Sequence, residues 1–181
     1  MKKIFLASII LVASLTINAQ VTKVSLQASG LTCSMCSKAV LTALQNVSFV
    51  EKVQVDIKNQ QYNVTFKPSA NPDLDALADA VKDAGFGVAS FTVTANVDAV
   101  TLKKDDHVRI GNQYFHFLNA ASQQLSGETS FTIVDRQYTT SKNFKKYSGM
   151  SRMECVQTGK AASCCARDEV KEQTRIYHAI I

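Results

Sequence analysis

Two cysteines with two residues between them, Cys33 and Cys36 in Gly30-Leu31-Thr32-Cys33-Ser34-Met35-Cys36, are the side chains of this sequence best suited to chemistry. The residues before them alternate and those after them recur at helical spacing, so the thiols fall at a strand-to-helix junction. There two sulfurs can face one point, and the positive end of the helix favours the thiolate, which is the form that binds metal. With no His or carboxylate close by in sequence, the pair falls short of the four ligands that structural zinc takes. It suits soft ions of low coordination number, Cu(I) foremost, with another thiophilic ion (Hg, Ag, Zn or Cd) as the second choice. The competing reading is a thiol–disulfide oxidoreductase, whose redox pair occupies the same kind of junction. Such sites keep aromatic and proline neighbours, whereas this chain has no Trp and its prolines are Pro68 and Pro72. A Cys33–Cys36 disulfide is the third outcome, open in an oxidising compartment.

A second group of soft donors lies in the tail: Met150, Met153, Cys155, Cys164 and Cys165, with His178 beyond. Thioether, thiolate and imidazole are all donors for Cu(I), so a second site or a transfer point is one reading. A disulfide from Cys155 to Cys164 or Cys165 is another, and an intermolecular bridge a third, because five cysteines leave at least one unpaired. His116, within Tyr114-Phe115-His116-Phe117, reads as a core histidine, and Asp105-Asp106 reads as a turn.

The elements that must position Cys33 and Cys36 are legible. Val21 to Ala28 alternates as a half-buried strand that Gly30 ends, and Val40, Ala43, Leu44 and Val47 mark one face of a helix. Val50 to Ile57 and Tyr62 to Phe66 read as a hairpin turning at Asn59-Gln60. A second helix is expected with Asn71 as cap, Pro72 in its first position, Asp73 and Asp75 in its first turn, and Gly85 as its stop. A strand from Val88 to Val97 follows. The order β-α-β-β-α-β is the ferredoxin-like arrangement, an α+β fold with both helices on one face of an antiparallel sheet. Past Asp98, His107–Ile110, Gln113–Leu118, Ser130–Val134 and Thr174–Ile181 read as short strands. Gly111-Asn112 and Ser126-Gly127 read as turns, and Ser141–Tyr147 as a short helix. The expected division is a signal peptide at 1–19, a ferredoxin-like domain at 20–98, and a small β-rich domain of unassigned role at 99–181.

The composition, 46% hydrophobic and 19% charged with 7 Gly and 2 Pro, is that of a globular chain rather than a disordered or collagenous one. Lys2 and Lys3, the apolar run Ile4 to Ala13, and Ile17-Asn18-Ala19 form a secretory leader that is too short and too interrupted to span a bilayer. The expectation is therefore a secreted, periplasmic protein with no stable membrane insertion once the leader is removed. The formal charge of +5 falls to +3 without the leader lysines, too little to point to nucleic acid. Lys142, Lys145, Lys146, Arg136 and Arg152 read as a solvated basic face. No Ser-His-Asp order, phosphate-cradling glycine loop or zinc-protease motif is present, and the chain is read as a non-enzyme.

Gly30 to Cys36, the apolar positions of both helices, and Asp83-Ala84-Gly85-Phe86 before the next strand resemble the heavy-metal-associated domain of copper chaperones, metal-transporting ATPases and the periplasmic mercury-binding protein. The resemblance takes in residues 22–92. It implies that Cys33 and Cys36 are the metal thiolates and that Leu31 packs beneath their loop, where the family more often has Met. It also places Phe86 near the metal on the facing loop, where soluble chaperones often carry Lys and transporter domains carry Phe. The function implied is capture of Cu(I) and its transfer to or from a metal-donor or acceptor protein.

Overall fold

The computed structural model describes residues 19–168 and 170–181; the expected leader falls, but for Ala19, outside them. β1 (Gln20–Ser29), α1 (Ser34–Gln45), β2 (Val50–Asp56), β3 (Gln61–Phe66), α2 (Leu74–Asp83) and β4 (Gly87–Leu102) follow in the expected order. β1 lies between β3 and β4, antiparallel to both, and β3 pairs with β2. The core beneath the helices is Val40 and Leu44 of α1 and Leu74, Leu77, Ala78 and Val81 of α2, packed with Val24, Leu26, Val64 and Phe91 of the sheet. Leu77 is fully buried, which contributes about 2 kcal/mol relative to exposure.

The start of α2 is displaced from the expected place. Its cap is Asp73, not Asn71: the Asp73 carboxylate accepts from the backbone N–H of Asp75 at 2.9 Å and of Ala76 at 3.3 Å. Pro72 therefore precedes the cap instead of opening the helix. A carboxylate satisfies two free donors at a positive helix end better than the Asn71 amide, whose own backbone the following proline holds extended.

Beyond α2 the sheet does not stop. β4 runs for 16 residues, through the boundary expected at Asp98, and its far side pairs with β7 (Gln123–Ile133). β5 (Asp106–Ile110), β6 (Gln113–Phe117) and β8 (Ile176–Ile180) complete one eight-stranded sheet in the order β2-β3-β1-β4-β7-β8-β6-β5. Its one parallel pair is β6 with β8. Gly111-Asn112 forms the expected two-residue hairpin, with Gly111 at φ +63°. Ser126-Gly127 is not a turn: both residues lie within β7, with Gly127 at φ +68° opposite Val97, where the register slips by a bulge. A left-handed glycine serves a bulge as well as a turn, so the dipeptide alone does not distinguish them.

The remaining segments are α3 (Ser141–Ser148), α4 (Cys155–Thr158) and a single 3-10 turn at Ser163–Asp168. They bring a second apolar cluster of Leu118, Val134, Cys155, Val156, Cys165 and Ile176. Leu118 and Ile176 alternate with Phe117 and Tyr177, which belong to the core under α1 and α2. The added strands are thus covered on both faces.

One carboxylate joins the two parts. Asp75 of α2 accepts from Arg175 Nε at 2.9 Å, Arg175 Nη2 at 3.1 Å, Tyr138 Oη at 2.6 Å and the Gln137 side-chain amide. Burial alone pushes Asp75 up, but the Arg175 and Tyr138 hydrogen bonds and the Arg175 charge outweigh it and hold the carboxyl below 3.8. Among the described residues no helix is long and apolar enough to cross a membrane.

Candidate metal centre

β1 ends at Ser29, and the chain turns at Gly30 with φ +85°, a conformation that glycine adopts without Cβ strain. Leu31 is half-buried against the core and anchors the loop from below. Cys33 is the cap of α1, with extended backbone, and its sulfur accepts from the Cys36 backbone N–H at 3.3 Å. Cysteine is a weaker cap than Ser, Thr, Asp or Asn, and α1 has no acidic residue in its first turn. The positive end of this helix is left for the thiols, in contrast to α2, where Asp73 and Asp75 occupy it.

The Cys33 and Cys36 sulfurs converge to 2.7 Å, Cys33 exposed and Cys36 half-buried. The Cys33 thiol beside it, with the Thr32 and Cys33 hydrogen bonds, holds the Cys36 thiol below the usual 9.0. Metal–sulfur bonds of about 2.3 Å set two sulfurs roughly 3.8 Å apart in a tetrahedral grip and about 4.6 Å apart in a linear one. An ion held between them would need the pair to widen by roughly one to two ångströms, and the Ser34 and Met35 side chains of the first helical turn, which lie between them, are exposed.

Two further groups border the thiol loop. Tyr62 of β3, itself buried, donates from its hydroxyl to the Ser37 carbonyl at 3.2 Å and ties down the first turn of α1. Phe86, half-buried after α2, lies beside the loop: a Cβ placed on Gly30 would sit 3.9 Å from its ring. A groove of about 520 Å³ opens next to Cys33, walled by Leu31, Leu41, Val55, Ile57 and Tyr62. Ile57 is 86% exposed and Met35 72%, an apolar rim around the thiols.

The tail donors grouped in the sequence also come together, with His116 rather than His178 against the Cys155 sulfur. Cys155, Cys164 and Cys165 are free thiols whose sulfurs lie within 4.8 Å of one another, and Met150 and Met153 pack against the same cluster. His116 is fully buried with its Nδ1 3.6 Å from the Cys155 sulfur. Burial and the neighbouring His178 and His107 push its pKa down to about 4. From sequence, His107 stands at the start of a strand but not among the candidate donors. Its signal was present in the turn: a two-residue hairpin at Gly111-Asn112 puts His107 directly opposite His116.

An antiparallel sheet carrying two helices on one face, with paired thiols where its first strand meets its first helix, defines a thiol-bearing metal-binding domain. The family profile that matches, over residues 25–87, is the heavy-metal-associated domain. The mercuric transport protein periplasmic component of Serratia marcescens is 34% identical over 86 residues, 48% of this chain and 93% of that one. A copper-transporting ATPase of Oryza sativa subsp. japonica is 36% identical over 78 residues, 43% of this chain and 8% of that one. Among solved structures, oxidized MerP from Ralstonia metallidurans CH34 is 35% identical, over 38% of this chain and 94% of that one, with a TM-score of 0.34. The chain thus spans less than a tenth of the ATPase and nearly all of the mercuric transport component. It belongs to the heavy-metal-associated domain family.

Proposed function

We propose that Cys33 and Cys36 capture a thiophilic ion, Cu(I) foremost, and hand it to or receive it from a partner protein in an extracytoplasmic compartment. The observation that carries this is the convergence of two sulfurs at an exposed helix start that Cys33 itself caps, with the Cys36 thiol held below its usual value. A two-thiolate grip satisfies a low-coordinate soft ion and leaves its remaining approach open. Transfer proceeds by exchange: a partner thiolate bonds to the ion as the Cys33 or Cys36 bond breaks, and neither the ion nor sulfur changes oxidation state. The apolar rim of Met35 and Ile57 gives the partner a surface to bury while the ion moves. The compartment rests on the leader at residues 1–19 and on the periplasmic relatives.

Copper(I) titration of the reduced protein against a competing chelator tests the proposal. Cys33→Ser and Cys36→Ser are each expected to lose one tightly bound equivalent with an unchanged circular dichroism spectrum. Retention of full stoichiometry in both variants would overturn it.

A further inference from the structure

The sheet places three imidazoles in a row. His107 of β5 pairs directly with His116 of β6, and His116 directly with His178 of β8. Directly opposed residues share a face, and this is the face covered by α4 and the 3-10 turn, not the one that carries α1 and α2. The rings of His107 and His116 stack at 4.5 Å, and those of His116 and His178 meet edge-on at 5.1 Å.

Each ring spends one nitrogen on a carboxylate. Asp168 holds His107 Nδ1 at 2.6 Å, Asp105 holds His116 Nε2 at 3.1 Å, and Asp135 holds His178 Nδ1 at 2.5 Å. The other nitrogen of each ring is left over. His116 Nδ1 faces the Cys155 sulfur, while Nε2 of His107 and Nε2 of His178 are buried with no hydrogen-bond partner among the described residues. A buried ring nitrogen without a partner is costly, and the one on His107, whose donor atoms cluster with those of His116 and Cys155, calls for an occupant. A carboxylate behind an imidazole is the arrangement that aims a histidine at a metal ion and raises its basicity.

We infer that His107, His116 and Cys155 form a second metal site, for a divalent ion of tetrahedral preference such as Zn(II), with the fourth position filled from Cys164 or Cys165. Donor atoms of His107, His116 and Cys155 lie within 4.8 Å of one another, and Cys155 shares the same closeness with Cys164 and Cys165. Donor separations in a tetrahedral site with bonds of about 2.0–2.3 Å are roughly 3.3–3.8 Å, within reach of side-chain rotation. Mixed imidazole and thiolate donors, four in number and enclosed, suit zinc; a low-coordinate monovalent ion is served by two thiolates alone. The site stands on the opposite face from Cys33 and Cys36 and is independent of their role. Its enclosure makes it a resident site that retains its ion and pins α4 and the 3-10 turn to β5 and β6.

The test uses the full mature chain carrying Cys33→Ser and Cys36→Ser, reduced and stripped with a chelator, so that the exposed thiols contribute nothing. Zinc is expected to bind one to one and raise the melting temperature, and cobalt(II) to give the visible bands of a tetrahedral ion with thiolate charge transfer in the near ultraviolet. His107→Gln and Cys155→Ser are each expected to weaken zinc at least tenfold. Asp168→Asn, which leaves every donor in place, is expected to weaken it about 10- to 100-fold. Because the Cys155→Ser variant alters the core, the parent titration and Asp168→Asn decide the matter without it. Absence of a stoichiometric zinc site in the parent, a six-coordinate cobalt spectrum, binding of Cu(I) but not zinc, or full affinity in both His107→Gln and Asp168→Asn would overturn the inference.

Discussion

Replacing Asp75 by asparagine removes one charge and changes almost nothing in volume, yet it acts where the two parts of the sheet protein meet. The aspartate receives two hydrogen bonds from Arg175, one from Tyr138 and one from Gln137. Asparagine keeps one acceptor oxygen and turns an NH2 toward a guanidinium or a phenol. Hydrogen bonds to a charged group are each worth about 1.5–3 kcal/mol, but the discount here is substantial. Asp75 is 31% exposed, and Arg175 retains Asp135 at 3.6 Å. The net expectation is a loss of about 2–3 kcal/mol at pH 7. At roughly 2–4 °C per kcal/mol for a chain of this size, the melting temperature should fall by about 4–12 °C. The sign of the pH dependence follows from the carboxyl being held below 3.8 in the folded state. Its contribution is complete above the ordinary carboxylate range and is lost as pH falls through the folded value, so wild type and variant should converge in acid. Calorimetry or urea unfolding at neutral and acid pH measures both quantities. A neutral-pH shift below about 2 °C, or an unchanged difference in acid, would refute the claim that this carboxylate clasps α2 to the added strands.

Alkylation kinetics should distinguish the thiols: Cys36 reacts with iodoacetamide at a pH where an ordinary thiol is protonated, and Cys33→Ser, by removing the neighbour that lowers it, moves the profile back up. Mass spectrometry of timed digests reads both. Gly30→Ala forces a side chain into φ +85° and should cost about 1–2 kcal/mol in urea unfolding, without loss of copper stoichiometry once folded. Leu77→Ala opens a cavity at a fully buried position and should cost about 2–5 kcal/mol, with no local effect on the thiol pair.

How far the sequence reveals this molecule depends on the range of the interaction that decides each feature. The paired thiols were legible because they, the loop and the helix start lie within a few residues of one another. So was the βαββαβ order, carried by periods of two and 3.6 and by Gly30 and Gly85. The cap of α2 was misplaced by two residues because Asn71, Pro72 and Asp73 all favour a helix start, and which one the backbone meets depends on hydrogen bonds at Asp75 and Ala76. The extension of β4 through Asp98 was hidden because its partner, Gln123 to Gly127, is polar but for Leu125 and carries a glycine that reads as a turn. The histidine row was half visible. Hairpin register aligns His107 with His116, but His178 arrives by parallel pairing from 62 residues away, and no local pattern encodes that.

The passage of β4 from one set of partners to the other has a practical corollary for anyone dissecting this chain. A fragment trimmed at Asp98 would keep β1 bonded to β4 but strip β7 from the other margin, baring a file of amide and carbonyl groups between Thr92 and Val97. Such a raw margin invites a copy of itself to dock there, so the shortened piece should dimerise or precipitate more readily than the intact chain. Trimming experiments meant to isolate the thiol loop are better replaced by point substitutions in the whole polypeptide.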